Sequence, residues 1–195
     1  MRIGIDIDNT ITRTTKTIMR YADIFARQNR LNAEPNYNEY YIEDALGWPK
    51  HMVEQFMEQH LLNIYCEVEP KCRATEVLRE LSERHSLVLI TSRNRFFPGI
   101  EEATRDWLVR YGIPYDLLVM NATDNMHHFS KVQACMDNMV EVMIEDHHDL
   151  ALELSHIMPV ILFSYPYNQH IKSSNIKRVN NWNEVKLAID QMSQY

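Results

Sequence analysis

The 195-residue chain has no apolar run long enough to cross a bilayer. Its first apolar stretch also lacks the hydrophobic region of a secretory leader, so the expected location is cytoplasmic and no membrane partner is expected. Cysteine is scarce: Cys66, Cys72 and Cys135 are odd in number and match no metal-ligand spacing. A disulfide framework is therefore not expected, and reduced thiols are the default. Positive charge is in deficit, with 20 Lys and Arg against 27 Asp and Glu and a net charge of −7. Proteins that coat nucleic acid draw most of their affinity from a basic face, so a nucleic-acid polymer is not the expected partner. A small anionic substrate stays open, because a bound cation or one or two bases can invert the local field. There are no internal repeats, low-complexity tracts or flexible linkers.

What is present is the composition of a soluble globular domain, 45% hydrophobic and 24% charged, long enough for one core with room for an insert. Five short apolar runs, at 2–6, 86–91, 116–120, 142–145 and 160–163, are separated by amphipathic segments. The second and fifth are rich in Val, Ile and Leu without alternation, as strands covered on both faces are. Helical spacing is clear over 70–84, through Ala74, Val77, Leu78 and Leu81, and over 99–111, which stops at Gly112 with Pro114 beyond. A further helix is expected over 131–139, with Ser130 as its N-cap. Strand–helix–strand alternation predicts an α/β fold, a Rossmann-like parallel sheet. The stretch 11–69 breaks that rhythm with helical patterns at 15–28 and 49–63. It predicts a small helical cap inserted after the first strand, leaving 1–10 and 70–195 as the core; a long helical excursion packed on one sheet face is the plainer alternative.

The chain opens M-R-I-G-I-D-I-D-N-T. Strand residues two apart share a face, so Asp6 and Asp8 leave the end of an interior strand together. Two carboxylates there are costly unless a cation or a proton accompanies them. Their natural use is a divalent metal plus acid–base work on a phosphate, with the Thr10 hydroxyl offered to the following turn. In an open α/β sheet, ligands bind beyond the carboxyl ends of the strands. The polar residues gather there: Asp6, Asp8 and Asn9 after the first strand, Thr91, Ser92 and Arg93 after the second, and Glu145, Asp146, His147, His148 and Asp149 after the fourth. Lys131 opens the helix after the third.

These motifs, in this order, resemble the haloacid dehalogenase superfamily of aspartate-dependent phosphatases. I-G-I-D-I-D-N-T resembles its first motif, L-V-L-I-T-S-R its second and V-M-I-E-D-H-H-D its fourth, with Lys131 as the candidate for the third. The cap placement, L-F-S-Y-P-Y-N (162–168) and N-N-W-N-E-V (180–185) resemble the 5′(3′)-deoxyribonucleotidase-like group. The resemblance implies Asp6 as nucleophile, Asp8 as general acid and base, and Mg²⁺ held by Asp6, the Asp8 backbone carbonyl and Asp146. It also implies phosphate binding by Thr91 and Lys131, with backbone N–H groups near Asn9 and Ser92 helping. Two departures stand out. Asn9 occupies a position where glycine is common, and Glu145 one where aspartate or glycine is usual, so that Glu145 reaches either the metal or only its waters.

The implied activity is a Mg²⁺-dependent phosphomonoester hydrolase, a 5′-nucleotidase for nucleoside or deoxynucleoside monophosphates. The rivals are the same chemistry on another small phosphate, such as a sugar phosphate or phosphoglycolate, and a non-catalytic binding protein on the same core. A dehalogenase is disfavoured, since that reaction needs neither Asp8 nor a metal. Thr10, Arg93, Tyr41 and Trp48 are the candidate substrate contacts, with Tyr37 and Tyr40 beside them; aromatic rings of this kind either stack on a base or pack the cap. Asp149 either orients its loop or Lys131, or caps the helix it opens. The pairs His127–His128 and His147–His148 fall near the same rim. Neighbouring loop histidines usually point apart, which favours substrate contact or solvation over a zinc site.

Overall fold

A computed structural model describes residues 1–32, 34–123 and 128–193. Six parallel strands form one sheet in the order β3-β2-β1-β4-β5-β6. They are β1 (Arg2–Ile5), β2 (Ser86–Asn94), β3 (Leu117–Asn121), β4 (Val142–Glu145), β5 (Val160–Phe163) and β6 (Ile176–Val179). This is a doubly wound Rossmann-like order, and its switch point lies at β1, between β2 and β4. The central strands are sealed on both faces, which is why their sequences are apolar without alternation. Ile3 and Ile5 face one core with Leu78, Trp107 and Trp182, while Val88, Ile90 and Met143 face the other.

Eight α-helices and a short 3-10 helix at Pro166–Asn168 are found among the described residues: α1 (Thr14–Asn29), α2 (Ile42–Leu46), α3 (Lys50–Glu67), α4 (Ala74–Ser82), α5 (Ile100–Tyr111), α6 (Lys131–Asp137), α7 (His148–Leu154) and α8 (Trp182–Met192). The sequence alone marks neither β6 nor α2 and α8, whereas the helix expected at Asp149 is present as α7. The sequence pattern also runs the helix at 131 two residues too far, since Met139 turns to a φ of 52°. Ser130 does cap α6, accepting the Gln133 N–H at 3.1 Å, and Gly112 closes α5 at a φ of 59°. Helices α1, α2 and α3 lie between β1 and α4 and have their own small core of Phe25, Leu46, Trp48, Val53, Phe56 and Ile64. The excursion leaves and re-enters side by side: Arg13 N–H donates to Glu69 O at 2.9 Å, and Lys71 N–H to Ile11 O at 2.7 Å.

One glycine is demanded by packing on β1. A Cβ on Gly4 would stand 2.7 Å from Met143 Sδ and 2.8 Å from Val140 Cγ1. Gly4→Ala is expected to cost about 1–3 kcal/mol through overpacking. A thermal melt checks this; an unchanged melting temperature would show that the β1–β4 seam yields at no cost.

Candidate active site

The site forms where β1, β2 and β4 end together at the switch point. The ladder continues one step past β1, with Asp6 N–H donating to Ile144 O at 3.0 Å. Asp6 is 3% exposed, so its carboxylate is fixed by backbone pairing and denied bulk water. Lys131, at the first position of α6, reaches inward to donate to Asp6 Oδ1 at 2.5 Å and Glu145 Oε2 at 3.0 Å. Its first-turn position is unfavourable for a cation, and these two carboxylates supply the compensation. Burial alone would lower its pKa, but the two anions more than offset that and hold it up.

Carboxylate oxygens of Asp6, Glu145 and Asp146 lie within 4.8 Å of one another. Three buried acids face one ammonium, leaving an excess of two negative charges at full ionisation. Burial raises the Asp6 carboxyl to about 8, helped by Glu145 and Asp8 and opposed by Lys131. Asp146 is likewise pushed well up, by burial first and then by Glu145 and Asp6. A cluster of hard oxygen donors short of two positive charges suits a divalent cation. Glu145 is the acid least available to it. Its Oε1 accepts the Asp146 and His147 N–H groups at 3.1 and 3.2 Å, and its Oε2 accepts Lys131. Burial would raise the Glu145 carboxyl, yet Lys131 and these donors keep it below the ordinary range.

Asp8 is held apart from this cluster. The Arg93 guanidinium grips it with both prongs, Nε to Oδ2 at 2.9 Å and Nη2 to Oδ1 at 2.8 Å, and the Thr14 hydroxyl adds a bond to Oδ1 at 2.6 Å. Burial would raise the Asp8 carboxyl; Arg93 and Thr14 outweigh it and hold the group below its usual value. The turn after Asp8 explains the asparagine at position 9. Its φ is 58°, in the left-handed region that glycine enters freely and that asparagine tolerates best among side-chain-bearing residues. The Asn9 amide oxygen accepts the Thr15 N–H at 2.8 Å, and its own N–H donates to Thr12 Oγ1 at 3.2 Å. Asn9 therefore organises the entry into α1, with its N–H already turned onto Thr12.

The register of β2 slips between Thr91 and Asn94, which bends the strand end carrying Thr91, Ser92 and Arg93. Thr91 is fully buried, and its Oγ1 accepts the Arg93 N–H at 3.2 Å. Thr10 is also buried; its Oγ1 has no hydrogen-bond partner among the described residues, while its carbonyl accepts from Trp182. Trp48 does not join the site. It is 7% exposed and stacks on Phe25 inside the helical insert, with its indole N–H given to Asn32 O at 2.7 Å, so it packs rather than presents a face. Arg93 is 2% exposed and committed to Asp8 rather than open to a substrate.

Tyr41 is 43% exposed at the rim, edge-on to Tyr40. The Tyr40 ring stands 4.1 Å from that of His147 and 5.3 Å from that of Tyr167. His147 and His148 do not point apart; their rings stack at 4.8 Å and 11°. His147 is the residue that caps α7, accepting the Leu150 N–H at 3.1 Å on Nδ1. Burial pushes it down to about 4, so it is neutral at neutral pH. Asp149 is exposed and pairs with His148 at 3.3 Å, far from the role of steering Lys131. Among the named histidines, His127 lies outside the described residues.

The segment after β5 braces the site in a way the sequence reading did not assign. Tyr167 donates to Asp146 Oδ2 at 2.5 Å, and Asn168 Nδ2 to Asp146 O at 2.8 Å. Tyr165 donates to Asn9 O at 2.8 Å and accepts from Lys71 at 2.5 Å. Asp146 is thus oriented through one carboxylate oxygen and its own carbonyl.

The chain is similar to known proteins over nearly its whole length. The family model described as 5′ nucleotidase, deoxy (pyrimidine), cytosolic type C protein matches residues 1–194. A nucleotidase of Clostridium acetobutylicum is 30% identical over 193 residues, 98% of this chain and 95% of that protein. A candidate nucleotidase of Bacillus subtilis is 34% identical over 186 residues, 94% of this chain and 91% of its own length. A solved haloacid dehalogenase-like hydrolase of Streptococcus pneumoniae superposes with a TM-score of 0.69 at 14% identity, covering 97% of this chain and 98% of that one. The family model's match over residues 1–194 and the nucleotidase relative covered over nearly its whole length show that the chain, with its paired aspartates just beyond β1, is a phosphatase that belongs to the 5′ nucleotidase, deoxy (pyrimidine), cytosolic type C family.

Proposed function

We propose that the protein is a cytoplasmic, Mg²⁺-dependent 5′-nucleotidase that releases phosphate from nucleoside or deoxynucleoside monophosphates through an aspartyl-phosphate. In this reading residues 11–69 form the cap over a core of 1–10 and 70–195. The observation that carries it is the buried Asp6 carboxylate, fixed at the end of β1 beside Lys131 and Asp146, with Asp8 two residues on.

An Asp6 oxygen attacks phosphorus of the monoprotonated phosphate, whose proton passes to the Asp8 carboxylate and from it to the leaving oxygen as that bond breaks. Asp8, now a carboxylate, takes a proton from water as that water attacks phosphorus; inorganic phosphate leaves and Asp6 is regenerated. Thr91 and Lys131, with the backbone at Ser92, bind the phosphate oxygens, and Lys131 also moderates the charge of Asp6. Asp6, the Asp8 carbonyl and Asp146 would hold Mg²⁺, which when bound offsets the repulsion between carboxylate and phosphate. Tyr40 and Tyr41, at the rim beside a neutral His147, are placed to meet the nucleoside.

The test is phosphate release with Mg²⁺ across nucleoside monophosphates, deoxynucleoside monophosphates and sugar phosphates. Selective nucleotide hydrolysis, stopped by chelator and restored by Mg²⁺, is expected. Turnover of sugar phosphates alone would discard the nucleotide, and turnover in excess chelator would discard the metal.

A further inference from the structure

Arg93 is the largest buried charged side chain among the described residues, and phosphate binding does not account for where it points. Its side chain is fully buried, whereas the Asp8 carboxylate it grips is 26% exposed toward the site. Burying a guanidinium is costly unless its donors are met, and planar bidentate pairing with a carboxylate meets them best. Here every part of the group is engaged. Nε and Nη2 take both Asp8 oxygens, and Nη1 donates to Thr104 Oγ1 of α5 at 3.3 Å. The flat face lies 4.0 Å from the centre of the Tyr65 ring, which belongs to α3 in the helical insert.

Asp8 is consequently clamped from two sides, by Arg93 from β2 and by Thr14 from the start of α1. Thr14 itself accepts from the Thr12 hydroxyl at 2.6 Å, which leaves its own proton for Asp8. The carboxylate cannot rotate without breaking a fork and a hydroxyl bond together. Proton transfer falls off steeply when donor and acceptor are misplaced, so such a clamp has a direct chemical use.

We propose that Arg93 is the positioning residue of Asp8, and that Tyr65 ties this clamp to the helical insert. The proposal rests on Asp8 being the general acid and base of the proposed reaction. Arg93 does not touch the phosphate; it sets the direction from which Asp8 gives a proton to the leaving oxygen and later takes one from water. Tyr65 covers the guanidinium from α3, so the clamp is complete only with the insert seated against β2 and α5. Lysine in place of Arg93 keeps the charge but loses the two-pronged fork.

The experiment compares kcat/KM, which reports phosphoryl transfer to Asp6 and departure of the leaving group, on two substrates. One is a nucleoside monophosphate, whose alkoxide must be protonated as it leaves; the other is p-nitrophenyl phosphate, whose leaving group needs no proton. For Arg93→Lys, the ratio of kcat/KM on the nucleotide to that on the aryl ester is expected to fall by about tenfold or more, since acid catalysis is worth about 10²–10⁴-fold. Tyr65→Leu should shift the ratio in the same direction by a smaller factor, while Tyr65→Phe, which keeps the ring face, should leave the ratio where it is. The Tyr65 pair serves if Arg93→Lys folds poorly.

Equal losses on both substrates would overturn the proposal and make Arg93 a phosphate-binding or purely structural group. A ratio that stays put in Tyr65→Leu while falling in Arg93→Lys would remove Tyr65 from the clamp. Wild-type protein that hydrolyses neither ester would sink the proposed function itself. That failure is distinct from one in which Asp6-dependent turnover survives and only the ratio fails to move.

Discussion

Asp6→Asn is expected to lower phosphate release by about 10⁴-fold or more, because the attacking oxygen is lost while the rest of the site stays assembled. The same substitution should have the opposite effect on the metal-free fold. In the wild type, Asp6 is buried among acids and its carboxyl is raised from 3.8 to about 8. A group whose folded pKa is raised stabilises the fold where it is protonated, and that contribution is lost as pH climbs through the folded value. Asp146 is displaced in the same direction. His147, lowered from 6.5 to about 4, opposes the trend only below pH 6.5, and Lys71, lowered from 10.5 to about 8, acts only above 8. Between those limits the metal-free wild type should therefore lose stability as pH rises, at a slope of up to about 1.4 kcal/mol per pH unit for each excess proton held.

Asparagine carries no charge to bury, so Asp6→Asn should flatten that slope and reduce the rise in melting temperature that Mg²⁺ produces. Melts with chelator and with Mg²⁺ across this pH window, beside a phosphate-release assay, check both halves. Surviving turnover would remove Asp6 as nucleophile. A slope as steep as the wild type's would move the excess protons to Asp146.

How much of this could be read from the chain depended on how local each signal was. β1 declared itself because a short apolar run ends in two acids two residues apart, and β4 because its run ends in Glu145 and Asp146. Lys131 was legible as a cation in the wrong turn of a helix, a misfit resolved by its reach to Asp6. β6 was not legible. Its four residues, I-K-R-V, are charged in the middle, as an edge strand tolerates, and only pairing with β5 makes them a strand.

The position-9 departure had a backbone cause that no pattern displays, since φ appears only in the folded turn. Trp48 and Arg93 show the same limit from the other side. Both residue types suit substrate contact, but which partner a long side chain meets is decided by elements far away in sequence: Phe25 for one, Asp8 for the other. Tyr65 and Tyr167 were missed for that reason. The Y-P-Y-N string was visible, whereas its hydrogen bond across to Asp146 exists only once β4 and β5 lie side by side.

Lys131→Met should produce the largest loss of stability. Its side chain is 8% exposed, and its ammonium is shared by Asp6 and Glu145. Methionine fills much of the same volume, so the loss is mainly one of charge: three clustered carboxylates remain with no cation among them. Stranding buried charge by removing one partner costs about 3–5 kcal/mol. For a chain of this size that is a fall in melting temperature on the order of 10 °C. The penalty should carry a pH signature. Without the ammonium, the Asp6 carboxyl rises further and the Glu145 carboxyl climbs from its lowered value, and protonating them removes the repulsion, so the deficit should be greatest near pH 8 and shrink toward pH 6.5. Mg²⁺ should recover part of it by supplying positive charge to the same oxygens, while phosphate release stays down by about 10²–10³-fold if Lys131 binds phosphate as proposed. Thermal melts at both pH values, with and without Mg²⁺, separate this from a packing defect. A deficit that ignores both pH and Mg²⁺ would mean that the Lys131 stem, rather than its charge, is what the fold needs.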